Sequence, residues 1–207
     1  MASTTAPGNG RARTGGRAAE TEARKRRILA AAARLARRGG YDAVQMRDVA
    51  ADAEVALGTL YRHYTSKDQL LLAMQLDQTQ TLRRRLELHP PDGESAADRV
   101  ADVLRRACKG LERDPLVTGA MVRAMFAPEP DVIGVKRSVQ EQLHSIIESA
   151  IAPEHTASAG AGEASVDAVV DVLGHVWFAA IAFWVNGLTD GTAMADRLAS
   201  TAHLLLE

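Results

Sequence analysis

Two short stretches of apolar residues, separated by only three residues, constrain most strongly what this chain can fold into. Each stretch has the spacing of one face of a helix. The first consists of Met46, Val49, Ala50 and Ala53, and the second of Leu57, Leu60, Tyr61 and Tyr64. Helices of about two turns cannot bury a core by themselves, so both must pack on a longer neighbour.

A longer helix is predicted immediately before them, over residues 20–38. Ile28, Ala32 and Leu35 recur on one face of it, and the glycine pair at 39–40 is a typical helix end. The three helices together have the spacing of a helix-turn-helix unit. Residues 1–19 are rich in Gly, Ala, Ser, Thr and Arg without apolar periodicity, so we expect a disordered basic arm there.

Six further helices are predicted after residue 65. Their approximate ranges are 66–88, 95–113, 115–126, 132–152, 165–187 and 192–206. Ser66 with Gln69, and Ser95 with Asp98, have the sequence of capping boxes. The pair Asp114-Pro115 is typical of a helix start, with Asp as the N-cap.

The sequence shows no strand alternation and no internal repeat. The predicted fold class is therefore all-α. An N-terminal three-helix bundle with a helix-turn-helix covers residues 20–67, and a larger C-terminal helical domain covers residues 68–207.

Charge is distributed unevenly between these two parts. Residues 1–67 contain 13 Lys and Arg against 6 Asp and Glu, a net charge of +7. Residues 68–207 contain 12 against 20, a net charge of −8. A basic first third is typical of a domain that meets a polyanion. A basic tail without a partner is the alternative, and charge alone does not separate the two.

Three features predict a cytoplasmic protein that does not enter a membrane. The single cysteine, Cys108, excludes a disulfide framework and a Cys-rich zinc site. The basic N-terminus lacks the apolar core of a signal peptide. The most apolar stretch, residues 172–185, is about 14 residues long, which is too short to span a bilayer.

Catalytic and metal-binding patterns are absent from the sequence. It contains no Gly-x-Ser-x-Gly motif, no glycine-rich phosphate loop and no histidine pair at i, i+4. We therefore expect no enzyme, no cofactor and no metal site. An enzyme that uses the helical bundle, or an adaptor that only dimerises, is the alternative, and retardation of promoter DNA separates a repressor from both.

Five segments carry a family resemblance: Arg26–Ala32, Gly39–Tyr41, Met46–Ala50, Val55–Tyr64 and Ser66–Lys67. In order and almost without gaps, over about 45 residues, they resemble the DNA-binding region of the TetR family of bacterial repressors. Together with Asp114–Met121, the part from Gly39 to Lys67 also resembles KstR-type repressors of sterol catabolism in actinobacteria.

The resemblance implies that the second short helix enters the major groove of double-stranded operator DNA with its first residues. Leu57 can contact a thymine methyl group, Gly58 allows a close approach of the backbone, and Thr59 can bind a base or a phosphate. Arg47 can bind a guanine through two hydrogen bonds.

The resemblance also implies contacts to the DNA backbone, which set register without reading sequence. The candidates are Tyr61, Arg62 and His63 after the first turn, Gln45 and Met46 at the start of the preceding helix, and Arg26 and Lys67 on the flanking helices. Lys67 in particular lies in the first turn of a helix, where a cation opposes the macrodipole unless a phosphate is bound beside it.

Each of these residues has a structural alternative. Tyr61 and Tyr64 are three residues apart and can both be core, which we expect for Tyr64. Arg62 and His63 can form a solvated face, and Arg47 can pair within its own helix.

Two residues depart from the family pattern at the turn between the short helices. Glu54 occupies a position where the family usually has glycine, and a left-handed conformation there costs on the order of 1 kcal/mol. Ala56 replaces the usual Ser or Thr cap, which forgoes roughly 1 kcal/mol.

For the C-terminal domain, the resemblance implies a homodimer that binds a palindromic operator. The family dimerises through its last two long helices, for which residues 132–152 and 166–187 are the candidates. The second is apolar on nearly all sides, so we expect core on one side and a partner on the other. The candidate interface residues are Phe178, Trp184 and Val185.

The resemblance further implies a small apolar effector bound between these helices. The candidate residues are Met121, Met125, Phe126, Trp177 and Ile181. Methionines adapt to irregular ligands, but such a stripe is more often simply core. A KstR-type relationship implies a steroid acyl-CoA, with Arg123, Lys136 and Arg137 as cations near the cavity mouth, although a solvated face explains these three equally well.

Overall fold

The computed structural model describes residues 10–128, 130–155 and 165–207. In this part of the chain the regular structure consists of helices, which confirms the all-α prediction. The α-helices are α1 (Gly10–Ala43), α2 (Met46–Asp52), α3 (Leu57–His63), α4 (Lys67–Leu88), α5 (Ala96–Leu111), α6 (Pro115–Met125), α7 (Ile133–His155), α8 (Val166–Val185) and α9 (Gly191–Leu206). A 3₁₀ turn, Pro130–Val132, precedes α7.

Helix α1 begins ten residues earlier than the sequence indicated. Residues 10–19, expected to be part of a disordered arm, are helical, whereas residues 1–9 of that arm lie outside the described residues. Ala and Arg are frequent before residue 20, and extending an existing helix costs far less than starting one. At its other end, Gly39 and Gly40 leave the helical conformation as predicted, and Gly40 has a φ of 63°.

The two short helices are confirmed within a residue or two of their expected bounds. Val49 of α2 and Leu60 of α3 are fully buried, together with Ile28 of α1. Tyr64, which directly follows α3, is only 8% exposed and therefore belongs to the core, as expected.

The turn between α2 and α3 contains both anticipated departures. Glu54 adopts a φ of 55°, the left-handed conformation that favours glycine. Ala56 precedes α3 without any side-chain cap for its backbone N–H groups. Arg34 braces this region from α1, since its Nε donates to the Asp52 carboxylate at 2.9 Å.

The predicted caps are made to different extents. At α5 the capping box is complete, because Ser95 and Asp98 each accept from the other's backbone N–H. At α4 only half of it forms, since Ser66 accepts from the Gln69 N–H at 3.1 Å while the Gln69 side chain accepts from Thr65.

Asp114 precedes α6 as expected, yet its side chain makes no cap. Its two carboxylate oxygens instead accept from the Arg37 guanidinium of α1, each at 2.9 Å. A charge-assisted bidentate pair is stronger than a neutral hydrogen bond, which explains why the carboxylate turns away from the helix end.

Buried residues form two clusters. The first joins the three N-terminal helices to α4 and α6 through Ile28, Leu71, Val117 and Met121. The second lies among α5, α7, α8 and α9, with Leu104, Ile151, Leu173 and Leu198 at its centre. The helix-turn-helix thus shares its core with α4 and α6.

Helix α8 is longer than the apolar stretch identified in the sequence. It has 20 residues, and by length and composition alone it qualifies as a membrane span, so the expectation that the stretch is too short was wrong. One side of it is buried in the second cluster through Val169, Leu173 and Trp177. The opposite side exposes Val172 and Phe183, so the described residues do not cover the helix on all faces.

We predict that Glu54→Gly stabilises the protein by about 1 kcal/mol, because glycine adopts the observed φ without steric strain. For a chain of this size, that corresponds to a rise in Tm of roughly 2–4 °C in a thermal melt followed by circular dichroism. Glu54→Ala is the matched control, since it removes the carboxylate but keeps the Cβ and its strain. An equal rise in Tm in both variants would show that the stabilisation comes from removing the charge and not from relieving backbone strain.

Candidate functional site

The start of α3 presents an accessible surface to an incoming ligand. The Leu57 side chain is 39% exposed, and a Cβ placed on Gly58 would meet nothing within 4 Å. Thr59 is half-buried, and its hydroxyl accepts a hydrogen bond from Arg62 at 3.0 Å. Leu57 and Gly58 are therefore open, whereas Thr59 has a partner in its own helix.

The later residues of α3 differ in accessibility. Tyr61 is 46% exposed, so it is not part of the core, in contrast to Tyr64. Arg62 is exposed, while His63 is half-buried.

Among the candidates near the start of α2, Arg47 is the most available. It is exposed and, within the described residues, its guanidinium has no hydrogen-bond or ion-pair partner. Gln45 is exposed and donates to the Asp42 carbonyl at 2.8 Å. Met46 is half-buried and packs on the first core cluster. Arg26 on α1 resembles Arg47, being exposed and unpaired in the described part of the chain.

Lys67 at the start of α4 has partners within the protein. Its Nζ donates to the Tyr41 carbonyl at 3.3 Å and lies 3.9 Å from the centroid of the Tyr41 ring, a cation–π contact. The Tyr41 hydroxyl donates to the buried Asp68 carboxylate at 2.8 Å. Tyr41 therefore holds both the cation and the acidic first turn of α4 in place.

Arg123 of α6 contacts the same tyrosine. Its Cζ lies 4.1 Å from the Tyr41 ring centroid, and its Nη1 is 3.1 Å from each carboxylate oxygen of Asp42. Arg123, which the sequence suggested for the mouth of an effector cavity, instead ties α6 to the N-terminal bundle.

A second ion pair links the same two parts. Arg37 and Asp114 join α1 to the start of α6, and the Arg37 guanidinium holds the pKa of the Asp114 carboxyl below its usual value through hydrogen bonding. Two arginine–aspartate pairs, one at each end of α6, therefore bind this helix to the helix-turn-helix.

A cavity of about 430 Å³ lies within the C-terminal bundle, between α4, α5, α6, α7 and α8. Three of the residues that the sequence suggested as effector contacts, Met125, Phe126 and Trp177, line it. Phe178 also lines it, although the sequence suggested the dimer interface for this residue.

Two predicted effector residues do not line this cavity. Met121 is buried in the first cluster against the N-terminal bundle, and Ile181 is buried in the second. Met121 precedes Met125 by one helical turn, and at that level α6 packs against the first cluster rather than beside the cavity.

Several polar side chains interrupt the otherwise apolar lining: Lys136, Gln140, His144, Asp171 and His175. The His144 Nε2 is 3.6 Å from an Asp171 carboxylate oxygen, and His175 Nδ1 is 2.6 Å from the Asp171 carbonyl oxygen. The pair of His144 and Asp171 could not be predicted from the sequence, because the two residues lie on different helices and no spacing rule connects them.

A second cavity, of about 240 Å³, lies beside the first, along α4 and α5. Its lining includes three arginines, Arg85, Arg106 and Arg113. Sequence analysis missed it as well, although a signal was present: eight of the twelve Lys and Arg in residues 68–207 fall between residues 83 and 113.

Two family models match this chain, one over each part of the structure. Residues 28–74 match the model described as bacterial regulatory proteins, tetR family, and residues 93–205 match the tetracyclin repressor-like C-terminal domain. The chain belongs to the TetR family. The resemblance inferred from its N-terminal motifs is thereby confirmed.

Curated relatives within the TetR family support the narrower resemblance. The HTH-type transcriptional repressor KstR of Rhodococcus jostii is 36% identical over 186 residues, covering 88% of this chain and 82% of the relative. KstR of Mycolicibacterium smegmatis is 30% identical over 185 residues, covering 88% and 87%.

Solved structures of transcriptional regulators have the same fold. A TetR transcriptional regulator from Rhodococcus sp. RHA1 superimposes with a TM-score of 0.77 at 30% identity, covering 90% of this chain and 97% of that one. FadR from Bacillus subtilis, in complex with stearoyl-CoA, gives a TM-score of 0.69 at 16% identity, covering 87% and 97%. The second likeness shows the fold alone.

In this TetR-family chain, the residues of α8 that were proposed for the dimer interface lie in different surroundings. Trp184 and Val185 are half-buried against the second cluster, and a Cβ on Gly119 of α6 would lie 3.2 Å from Val185 Cγ1. Val185 thus packs on its own chain. The uncovered stripe of α8 consists of other residues, namely Val172, His175, Ala179 and Phe183.

Proposed function

We propose that this TetR-family regulator is a repressor that binds a palindromic operator as a homodimer and is released by an acyl-CoA effector. The observation that carries the proposal is the double role of α6. Met125 and Phe126 line the cavity, and Arg123 on the same helix contacts Tyr41, which holds Lys67. A ligand that repositions α6 therefore acts on the DNA-binding surface through direct contacts.

For DNA binding, we assign base contacts to Leu57, Gly58 and Thr59 of α3 and to Arg47 of α2. The exposure of Leu57 and the open space around Gly58 support an approach of DNA to the start of α3. Arg47 is unpaired in the described structure, so binding a guanine costs it no existing interaction.

Phosphate contacts are assigned to the side chains of Arg26, Gln45, Tyr61, Arg62, His63 and Lys67, and to the backbone N–H of Met46. Arg26 is free to bind a phosphate at once. Lys67 must exchange its bond to the Tyr41 carbonyl for one to a phosphate, and this makes its contribution sensitive to the position of Tyr41.

For the effector, the size and apolar lining of the first cavity suit an acyl group. Two structural neighbours, FadR of Bacillus subtilis and of Thermus thermophilus, were solved with stearoyl-CoA and lauroyl-CoA. The resemblance to KstR-type repressors of sterol catabolism favours a steroid acyl group over a linear one. Within the predicted set we retain Met125, Phe126 and Trp177 as effector contacts and add Phe178.

For assembly, the uncovered stripe of α8 supports a twofold interface. Val172 and Phe183 are 44% and 48% exposed, which is costly for apolar groups in water unless a partner covers them. With its other side in the bundle core and this stripe on a second copy, α8 needs no membrane. We therefore propose a cytoplasmic dimer that acts as a regulator and not as an enzyme.

The DNA contacts are tested by comparing specific and non-specific binding. Arg47→Ala and Thr59→Ala should each cost about 1–3 kcal/mol on the operator and relax sequence preference. Lys67→Ala should weaken binding to all sequences equally. It should also reduce the slope of the logarithm of affinity against the logarithm of salt concentration by about one per half-site. Fluorescence anisotropy at several salt concentrations measures both, on an operator selected from genomic fragments.

Arg197→Ala on α9 is the matched control for loss of one exposed cation, and it should leave operator affinity unchanged. A change of sequence preference in Lys67→Ala would contradict our division between base and phosphate contacts. If the wild-type protein retarded no genomic fragment, the proposal that it is a repressor would be wrong.

The dimer is tested by charging the uncovered stripe. Val172→Asp and Phe183→Asp should each give a folded monomer, because a carboxylate in an apolar interface loses its hydration. Analytical ultracentrifugation measures the mass, with Leu88→Asp, at an exposed position at the end of α4, as the control that stays dimeric. Stripe variants that remain dimeric with an unchanged Tm would place the interface elsewhere.

The effector is tested by linkage between the two ligands. Stearoyl-CoA, lauroyl-CoA and a steroid acyl-CoA are titrated into the protein with and without operator. The effective ligand should lower operator affinity by about 1–3 kcal/mol, and the operator must weaken that ligand by the same factor. Arg123→Ala should reduce this coupling and leave ligand affinity without DNA unchanged.

Equal affinities of the ligand in the presence and absence of operator would exclude release by this effector. A tighter complex with operator would make the acyl-CoA a co-repressor instead.

A further inference from the structure

The cavity along α4 and α5 has a different chemistry from the apolar cavity beside it. Its polar lining combines Gln75, Gln78 and Thr79 of α4 with three arginines. Three of the twelve Lys and Arg in residues 68–207 line this one cavity, in a part of the chain whose net charge is −8.

The three arginines differ in their hydrogen-bond and ion-pair partners within the protein. Arg106 is held in place, because it donates to the His89 carbonyl at 2.7 Å and pairs with Asp102 at 2.6 Å. Arg85 and Arg113 are exposed, and neither guanidinium has a partner among the described residues. The rim of this cavity therefore offers two uncommitted cations, which suits a multiply charged anion.

The two cavities adjoin each other. Leu82, Ala107, Leu143 and Trp177 line both of them. A ligand with an apolar body in the larger cavity therefore needs only to pass these four side chains to place a polar, anionic end beside Arg85 and Arg113.

We propose that the smaller cavity binds the phosphate-bearing part of coenzyme A while the acyl group occupies the larger one. Arg85 and Arg113 bind phosphate oxygens, and Arg106 adds N–H donors in a fixed position. The inference rests on the proposed acyl-CoA effector and states which end of the cavity pair receives its nucleotide.

The other end of the larger cavity offers less to a polyphosphate. Lys136 is the cation in its lining, and its Nζ already donates to the Ala127 carbonyl. The Asp171 carboxylate in the same lining repels phosphate. Lys136 is therefore the alternative phosphate-binding residue that the experiment must test.

The experiment compares two thioesters of the same acyl group in isothermal titration calorimetry. One is the acyl-CoA that binds most tightly among the three named above, and the other is the S-acyl-N-acetylcysteamine, which has no phosphate. In the double variant Arg85→Gln/Arg113→Gln, the Kd of the acyl-CoA should rise about tenfold or more, while that of the truncated thioester changes less than about twofold.

Lys109→Gln is the matched control, since it removes one exposed cation from α5 without touching either cavity. Both thioesters should bind it as they bind the wild type. Coenzyme A without an acyl group should bind weakly and in an Arg85- and Arg113-dependent manner, whereas inorganic phosphate at the same concentration should not compete measurably.

Three outcomes overturn the inference. If the double variant bound acyl-CoA with unchanged affinity, the nucleotide would not bind in this cavity, but the proposal of an acyl-CoA effector would still stand. A selective loss in Lys136→Gln instead would place the nucleotide at the opposite end. If the wild type bound none of the three acyl-CoA esters, both the effector and the inference would be wrong.

Discussion

The packing of α6 against α1 and α4 is the contact on which the rest of this structure depends. Helices α2 and α3 have seven residues each, too few to be stable alone, and their apolar side chains are buried in a core that α4 and α6 complete. The pairs Arg37–Asp114 and Arg123–Asp42 close the two ends of this contact. The helix-turn-helix unit is therefore held in shape by a helix of the C-terminal domain.

This shared core explains how one small chain can combine two binding sites. Close-packed interiors transmit displacement rather than absorb it, so a shift of α6 at the cavity must be followed by the residues packed on its other side. Tyr41 lies at that point, between Arg123 and Lys67. A ligand alters DNA affinity only as far as it prefers one of the two arrangements, and we propose that its contacts with Met125 and Phe126, which line the cavity, create this preference.

The turn between α2 and α3 shows how tertiary packing outweighs local cost. Glu54 accepts a left-handed conformation and Ala56 leaves the start of α3 uncapped, at a cost of about 1 kcal/mol each. Burial of Val49, Leu60 and Tyr64 offsets both, because each large apolar side chain contributes roughly 1.5–3 kcal/mol. A propensity argument alone would have rejected this turn, whereas the order of motifs around it identified the family.

The sequence by itself determined the helices, the completed cap at Ser95, the break at Gly40 and the family, because hydrogen bonding and steric limits within a few residues decide such features. Only the tertiary structure decided that Met125 and Phe178 face the cavity while Met121 and Ile181 do not. It also brought His144 to Asp171 and gathered three arginines around a second cavity. Residues on one helix turn by 100° per position, so their surroundings depend on which neighbouring helix crosses there, and that depends on packing across the whole chain.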